Sequence, residues 1–163
     1  NSDLPQDVII SLLNRQVIIK IGSTTIVSSL VEGEFPDYKR VIPAKFAIKT
    51  KVNVKELEGA VKRVSLFSGE GDYSIVKINV KSSEIVINSS SNDVGKGRES
   101  VSSVTEGESL NVAFNARYIL EVLKNIDDEE VTIEMNNSLS PACIRPVSEE
   151  NYLYIVTPVR VVF

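Results

Sequence analysis

The chain has 163 residues, of which 42% are apolar, and its net charge is −4. This composition can form the core of one domain, or of one domain and part of another. The chain contains no histidine, and this absence disfavours most hydrolase and transferase mechanisms. No apolar run is long enough to span a membrane and residues 1–5 carry no export signal, so a cytoplasmic protein without membrane partners is expected.

Three β-branched apolar runs come first, at residues 7–13, 16–21 and 25–31. Asn14-Arg15 and Gly22-Ser23-Thr24 separate these runs and indicate turns, so a three-strand meander is predicted. A meander without a helix buries one face only against another element, and we therefore expect it to end a domain whose first part is missing. The turn-rich segment from Gly33 predicts a domain boundary near Tyr38.

Two short amphipathic helices are predicted in the remainder of the chain, with Asn53 and Asn115 as their N-caps. Their apolar faces consist of Val54, Leu57, Val61 and Val64 in the first helix, and of Ala116, Ile119, Leu120, Leu123 and Ile126 in the second. Alternating apolar residues predict strands at 76–80, 85–87, 110–114, 131–135 and 152–156. The predicted class is α+β, with the order strand, helix, three strands occurring twice.

Two further segments carry residue types that are common in active sites. Gly95-Lys96-Gly97 lacks the spacing of a phosphate-binding loop, and it is predicted to connect two strands. Cys143 occupies an apolar strand position between Ala142 and Ile144, which favours a buried, unreactive thiol over a nucleophile. Neither segment indicates a catalytic, metal or cofactor site.

The second helix is a degenerate copy of the first, because one shift places Asn53 on Asn115, Lys55 on Arg117 and Lys62 on Lys124. These basic positions lie opposite the apolar stripes. The two helices carry five basic and three acidic residues in a chain that is otherwise acidic. A basic surface of this kind would suit contact with duplex DNA that passes along it. The alternative is that the lysines only solvate exposed helices.

Four segments resemble one protein family. The segment from Leu30 to Pro43 is similar to the connection between the second and third domains of the bacterial sliding clamp, the β subunit of DNA polymerase III. Residues 114–119, 140–146 and 154–161 resemble that family's final helix, last strands and C-terminal tail. The resemblance implies a DNA clamp fold, in which three similar domains per subunit form a head-to-tail ring of two subunits lined by helices. Residues 1–38 would then be the last strands of the second domain and residues 39–163 the third, with the first domain absent.

The implied function is that of a non-enzymatic processivity factor without cofactors, which encircles duplex DNA and binds polymerase, clamp loader and repair proteins through their short linear motifs. The resemblance places Lys55, Lys62, Arg63, Arg117 and Lys124 towards DNA. It also implies a peptide groove formed by Pro36, Arg40, Val41, Tyr73, Pro141, Ile155, Val156, Thr157, Pro158, Val159 and Arg160. Ordinary strand core is the alternative for Ile155, Val156 and Val159. Thr157 departs from the family, which usually has a larger apolar residue there.

Assembly and the competing functions complete the expectations. The resemblance places a subunit interface at Leu66 and Phe67, and a chain without the first domain is expected to be a monomer. An enzyme would have to use loop carboxylates such as Asp72, Asp93, Glu129 and Glu130, for which the sequence offers no histidine partner. A generic β-rich interaction domain would explain the strands but not the basic residues repeated on two helices.

Overall fold

The computed structural model describes residues 7–34, 37–68, 74–91, 93–149 and 151–161. The chain divides into two compact units, Asn1–Asp37 and Tyr38–Phe163. The first unit contains an antiparallel sheet of three strands in the order β1 (Val8–Leu13), β2 (Gln16–Ile21) and β3 (Thr24–Ser29). The predicted meander is confirmed, and every residue of β1 and β3 is exposed.

Two-residue turns set the register of this meander. Leu13 pairs with Gln16, and Ile21 pairs with Thr24. Thr24 therefore begins β3, although the sequence suggested that it belongs to the turn. The first residue of each turn has a left-handed backbone, with φ of 48° at Asn14 and 56° at Gly22. Glycine and asparagine adopt this conformation more readily than other residues.

The second unit begins with a 3-10 helix at Tyr38–Arg40 and then contains the strand, helix, three-strand order twice. The first repeat consists of β4 (Ile48–Asn53), α1 (Val54–Ser65), β5 (Ile75–Val80), β6 (Glu84–Ser91) and β7 (Gly95–Glu106). The second consists of β8 (Leu110–Asn115), α2 (Ala116–Lys124), β9 (Glu130–Met135), β10 (Ala142–Pro146) and β11 (Tyr154–Val156). The predicted α+β class and the internal repeat are confirmed.

The first strand of each repeat pairs with a strand of the other repeat. The eight strands form one antiparallel sheet in the order β11-β10-β9-β4-β7-β6-β5-β8. Strand β4 of the first repeat pairs with β9 of the second, and β8 of the second repeat pairs with β5 of the first. Beyond β11, the backbone N–H of Val159 donates to the carbonyl of Ala113 in β8 at 2.8 Å. The C-terminal segment therefore reaches the opposite end of the strand order.

The core lies between one face of this sheet, here called the inner face, and the two helices, which also pack against each other. All the predicted apolar helix positions are buried except Leu120, which is partly buried, and Ala60 and Val122 are buried as well. The predicted caps are confirmed, because the Asn53 side chain accepts from Glu56 N at 3.1 Å and that of Asn115 from Arg117 N at 2.9 Å. Each helix is thus fixed by a local cap and a buried stripe.

The prediction for Gly95-Lys96-Gly97 is wrong, because these residues begin β7 and do not connect two strands. Their Cα partners in β6 are Ser91, Ser90 and Ser89. The tertiary reason is Phe67, since a Cβ on Gly97 would lie 2.5 Å from Cδ2 of its ring. Glycine is needed for this close packing within a strand, and the sequence pattern alone resembled a turn.

Candidate functional site

The basic residues of the two helices lie on their exposed faces. Lys55 and Lys62 in α1, and Arg117 and Lys124 in α2, are all exposed. None of these four side chains forms an ion pair with a residue that the structure describes. Because the helices pack side by side, the four charges belong to one surface of the unit.

Arg63 differs from these four residues. Its Nε and Nη2 donate to Oε1 and Oε2 of Glu99 in β7, each at 2.6 Å. The hydrogen bonds from Arg63 lower the pKa of the Glu99 carboxyl, and those to Glu99 raise the pKa of the guanidinium. The charge of Arg63 is therefore balanced by a bidentate partner, so this residue adds less positive potential to the exposed helix faces than the other four.

A shallow cleft of about 490 Å³ separates the end of α1 from α2. Arg117, Glu121 and Lys124 lie along its α2 side, and Ser65 lies on the α1 side. Glu121 is exposed and lies one helical turn from Arg117, which reduces the positive potential of this part of the surface. Acidic and basic side chains therefore alternate along the α2 side of this cleft.

The C-terminal residues provide most of the expected peptide groove, and the structure corrects one of them. Val156 is only 3% exposed and belongs to the core, so its side chain is not accessible to a peptide. Ile155 points to the opposite face of β11 and is partly buried. Thr157 and Arg160 are exposed, while Pro158 and Val159 are partly buried.

Three of the other expected groove residues belong to the described part of the second unit and lie outside its strands and α-helices. Pro141 is partly buried just before β10. Arg40 ends the 3-10 helix, and Val41, whose backbone N–H donates to the Tyr38 carbonyl at 3.1 Å, is 51% exposed. Pro36 and Tyr73 lie outside the described residues.

Three tyrosines lie close together at the C-terminal strand, and one of them is accessible. Burial raises the pKa of the Tyr154 phenol, and the nearby Glu121, Tyr152 and Tyr118 raise it further. Tyr118 in α2 is 49% exposed, so it offers an aromatic face next to β11. The sequence signal for this surface was the position of Tyr118 opposite the apolar stripe of the helix, because packing in the core does not explain a large aromatic residue there.

The expected subunit-interface residues lie at the end of α1. Leu66 is the C-cap of this helix and is 71% exposed, whereas Phe67 is partly buried against Gly95 and Gly97. Leu66 therefore exposes a large apolar side chain that no described residue covers.

The alternative catalytic groups do not converge in the described part of the chain. No set of three or more histidine, cysteine or carboxylate side chains there could hold a metal ion. Asp72 lies outside that part, while Asp93 and Glu129 are exposed and Glu130 pairs with Lys51 at 2.6 Å. Cys143 is buried, and burial raises the pKa of its thiol, so little reactive thiolate forms at neutral pH. No described helix is long and apolar enough to cross a membrane.

One family of known proteins matches most of this chain. A family model described as the DNA polymerase III beta subunit, C-terminal domain, matches residues 39–160. The chain belongs to this family. It is 31% identical to the beta sliding clamp of Staphylococcus aureus over 160 residues, which cover 98% of this chain and 42% of that protein.

Solved sliding clamps share both fold and sequence with this chain. The DNA polymerase III beta subunit of Thermotoga maritima is similar, with a TM-score of 0.84, 37% identity and coverage of 95% of this chain and 42% of that one. The sliding clamp of Pseudomonas aeruginosa gives a TM-score of 0.85 with 28% identity, covering 94% of this chain and 42% of that one. These comparisons confirm the DNA clamp fold, and the chain spans about two fifths of the length of these relatives.

Proposed function

We propose that this chain is part of a ring-shaped sliding clamp that encircles duplex DNA and tethers a replicative polymerase, clamp loader and repair proteins to it, without catalysing a reaction. The observation that carries the proposal is the set of four exposed basic side chains, Lys55, Lys62, Arg117 and Lys124, at matching positions of two repeated helices. The names of the similar proteins, beta sliding clamp and DNA polymerase III beta subunit, support it.

The physical basis of the proposal is that a closed ring retains DNA by topology. The contacts between protein and DNA then need only to place positive charge near the phosphate backbone. They do not need to recognise the bases. Exposed charges are screened over roughly 8 Å at physiological salt, so a few lysine and arginine side chains keep the duplex centred without preventing it from sliding. The residues of the second unit that carry this role are Lys55, Lys62, Arg117 and Lys124.

The salt dependence of duplex binding tests the DNA-facing surface. For the 163-residue chain, four phosphate contacts predict a slope of about −3.6 for log K against log salt, so affinity falls on the order of 100-fold between about 50 and 200 mM salt. Changing all four residues to glutamine should remove most of this slope. Fluorescence anisotropy with two labelled duplexes of unrelated sequence provides the measurement.

A charge-matched control variant changes Lys45, Lys49, Lys51 and Lys81 to glutamine, four exposed or partly exposed lysines of the same unit that lie outside the helices. It should retain the slope of the unaltered chain. An equal loss in both variants, or a strong preference for one of the two sequences, would contradict the proposed DNA surface.

We propose further that the C-terminal segment binds the short linear motifs of partner proteins. The contributing residues of the second unit would be Arg40, Val41, Pro141, Ile155, Thr157, Pro158, Val159 and Arg160. The exposed and partly buried side chains of residues 157–160, with the exposed Tyr118 nearby, offer the mixed apolar and polar surface that an anchored peptide needs.

Calorimetric titration with a peptide carrying a glutamine and an aromatic or leucine anchor tests this surface. A complete pocket gives a binding free energy of about 8 kcal/mol, which corresponds to a micromolar dissociation constant. We expect this chain to bind the peptide at least about tenfold more weakly. Removal of residues 158–163 should abolish binding, because it deletes Val159 and Arg160. Glutamine at Lys55 and Lys62 should leave the affinity unchanged, and unaltered binding by the truncated chain would exclude the site.

A further inference from the structure

A buried carboxylate lies between two basic side chains on the face of the eight-stranded sheet opposite the inner face, here called the outer face. Glu134 in β9 pairs with Lys49 in β4, and the side chain of Glu134 is only 10% exposed. Lys49 Nζ lies 3.3 Å from its Oε1, and Arg145 Nε in β10 donates to its Oε2 at 3.0 Å. Because burying an unpaired charge is costly, Glu134 holds both cations in fixed positions.

Both cations keep hydrogen-bond donors that Glu134 does not use. Arg145 is bonded through Nε alone, so its two terminal nitrogens have no acceptor among the residues that the structure describes. The ammonium of Lys49 carries three donors, and its side chain is 51% exposed. The terminal N–H groups of an arginine match the two oxygens of a carboxylate in a planar, bidentate arrangement. The pair is therefore prepared to bind an oxyanion.

These donors line an open cleft of about 670 Å³ beside the loop that precedes β4. The side chain of Asn136 fixes this loop, because it accepts from Ala47 N at 2.8 Å and donates to the Lys45 carbonyl at 2.9 Å. Lys45 itself is exposed, and none of the described acidic residues pairs with it. The apolar side chains that line the cleft are Pro43, Ala44, Phe46, Pro146 and Val147.

The cleft carries a small excess of positive charge. Its three basic residues are Lys45, Lys49 and Arg145, and its two acidic residues are Glu134 and Glu149. Glu134 is already engaged by both neighbouring cations, whereas Glu149 is exposed. An incoming anion therefore meets fixed donors beside apolar walls, and Glu149 is the side chain that opposes its entry.

We propose that this cleft binds a segment of a partner protein in which a glutamate or aspartate lies beside a large apolar side chain. The carboxylate would accept from the terminal nitrogens of Arg145 and from the ammonium of Lys49. The apolar side chain would pack against Phe46 and Val147, of which Val147 is 51% exposed.

The apolar walls favour a protein segment over a nucleic acid, because contacts to a phosphate backbone would leave these walls uncovered. None of the lining residues belongs to the proposed peptide groove or to the basic faces of the two helices. The cleft therefore adds a second contact for a partner protein, independent of the proposed function.

Titration of the 15N-labelled 163-residue chain with two short capped peptides tests the proposal. One peptide contains glutamate next to phenylalanine, and the other has glutamine in place of the glutamate. The glutamate peptide should shift the backbone amide signals of Lys45, Phe46 and Val147, with an affinity about three- to fivefold higher than that of the glutamine peptide. This preference should disappear at about 1 M salt, where charges are screened within roughly 3 Å.

Four variants assign the preference to individual side chains. Lys45→Glu should remove it, and Glu149→Gln should increase it, because each changes the charge that the glutamate meets. Arg145→Lys keeps a positive charge beside Glu134 but lacks the paired terminal donors, so it should weaken binding of the glutamate peptide. The control is Lys81→Gln, which removes a lysine that lies outside the cleft and pairs with Glu84 at 2.6 Å, and it should behave as the unaltered chain does.

Equal affinity for the two peptides, shifts confined to residues outside the cleft, or unchanged signals at millimolar peptide would each overturn the proposal. Displacement of the glutamate peptide by a single-stranded oligonucleotide would overturn it as well, because it would assign the cleft to nucleic acid. The Lys45→Glu variant should keep the affinity of the groove peptide, since residues 157–160 are not altered. Failure of this test is therefore distinguishable from failure of the proposed function.

Discussion

The same substitution, glycine to alanine, should have opposite effects at two positions of the second unit. Gly107 lies in the turn between β7 and β8 with φ of 102°, and a Cβ there would overlap the carbonyl oxygen of Ala47 and approach the Cα of Ile48 to 3.1 Å. Gly59 lies inside α1, and a Cβ there would meet only the far end of the Arg63 side chain, at 3.0 Å.

The magnitudes follow from these surroundings. A side chain held at such a positive φ costs about 1–3 kcal/mol, and overlap with backbone atoms adds to it, so Gly107→Ala should lower the free energy of unfolding by about 2–4 kcal/mol. Alanine is preferred to glycine inside a helix by about 0.8–1 kcal/mol. Because the exposed Arg63 side chain can move, Gly59→Ala should raise the free energy of unfolding by about 0.5–1 kcal/mol.

Urea denaturation followed by far-UV circular dichroism provides the assay, since the midpoint should move in opposite directions while the m-value is unchanged. A Gly107→Ala variant as stable as the unaltered chain would show that the turn does not have the left-handed backbone. A destabilised Gly59→Ala variant would show that Arg63 cannot yield, and that its pairing with Glu99 is more rigid than an exposed pair usually is.

Three further predictions concern packing, the groove and pH. Leu57→Ala, at a residue only 1% exposed, should reduce the free energy of unfolding by about 2–5 kcal/mol in the same urea assay, while Leu66→Ala at the helix end should change it by about 0.5 kcal/mol or less. Thr157→Leu should strengthen calorimetric binding of the groove peptide by about fourfold or more, because it adds apolar area to an exposed position. Hydrogen bonds from Ser148 lower the pKa of the Asp128 carboxyl. They therefore stabilise the fold at pH values above the ordinary pKa of a carboxyl group, and this stabilisation is lost as the pH falls through the lowered pKa. The stability difference between Ser148→Ala and the unaltered chain should therefore disappear in acid, and a difference that persists at low pH would contradict this assignment.

Local signals in the sequence were sufficient to predict the helices. Asn53 and Asn115 precede amphipathic stretches, and capping depends only on residues within one turn of the helix. The strands with strict alternation, such as β5 and β9, were also predictable, because every second residue faces the core. These features need no knowledge of distant parts of the chain.

Features that depend on distant residues could not be predicted in this way. Arg63 looked like a member of the basic helix face until the fold brought Glu99 beside it. Gly97 looked like part of a turn because the Phe67 ring that requires its small size comes from a distant segment, just after the end of α1. In the three-residue strand β11, alternation is too short to show which of Ile155 and Val156 enters the core.

The pairing of each first strand with the other repeat has a consequence for synthesis on the ribosome. One edge of β4 is covered only by β9, and β9 is translated after both helices. Pairing between strands so distant in the sequence is intrinsically slow, and an uncovered strand is open to association with other chains. Neither repeat can form all of its strand pairs alone. One edge of β4 in the emerging first half therefore stays open to other chains until β9 has left the exit tunnel.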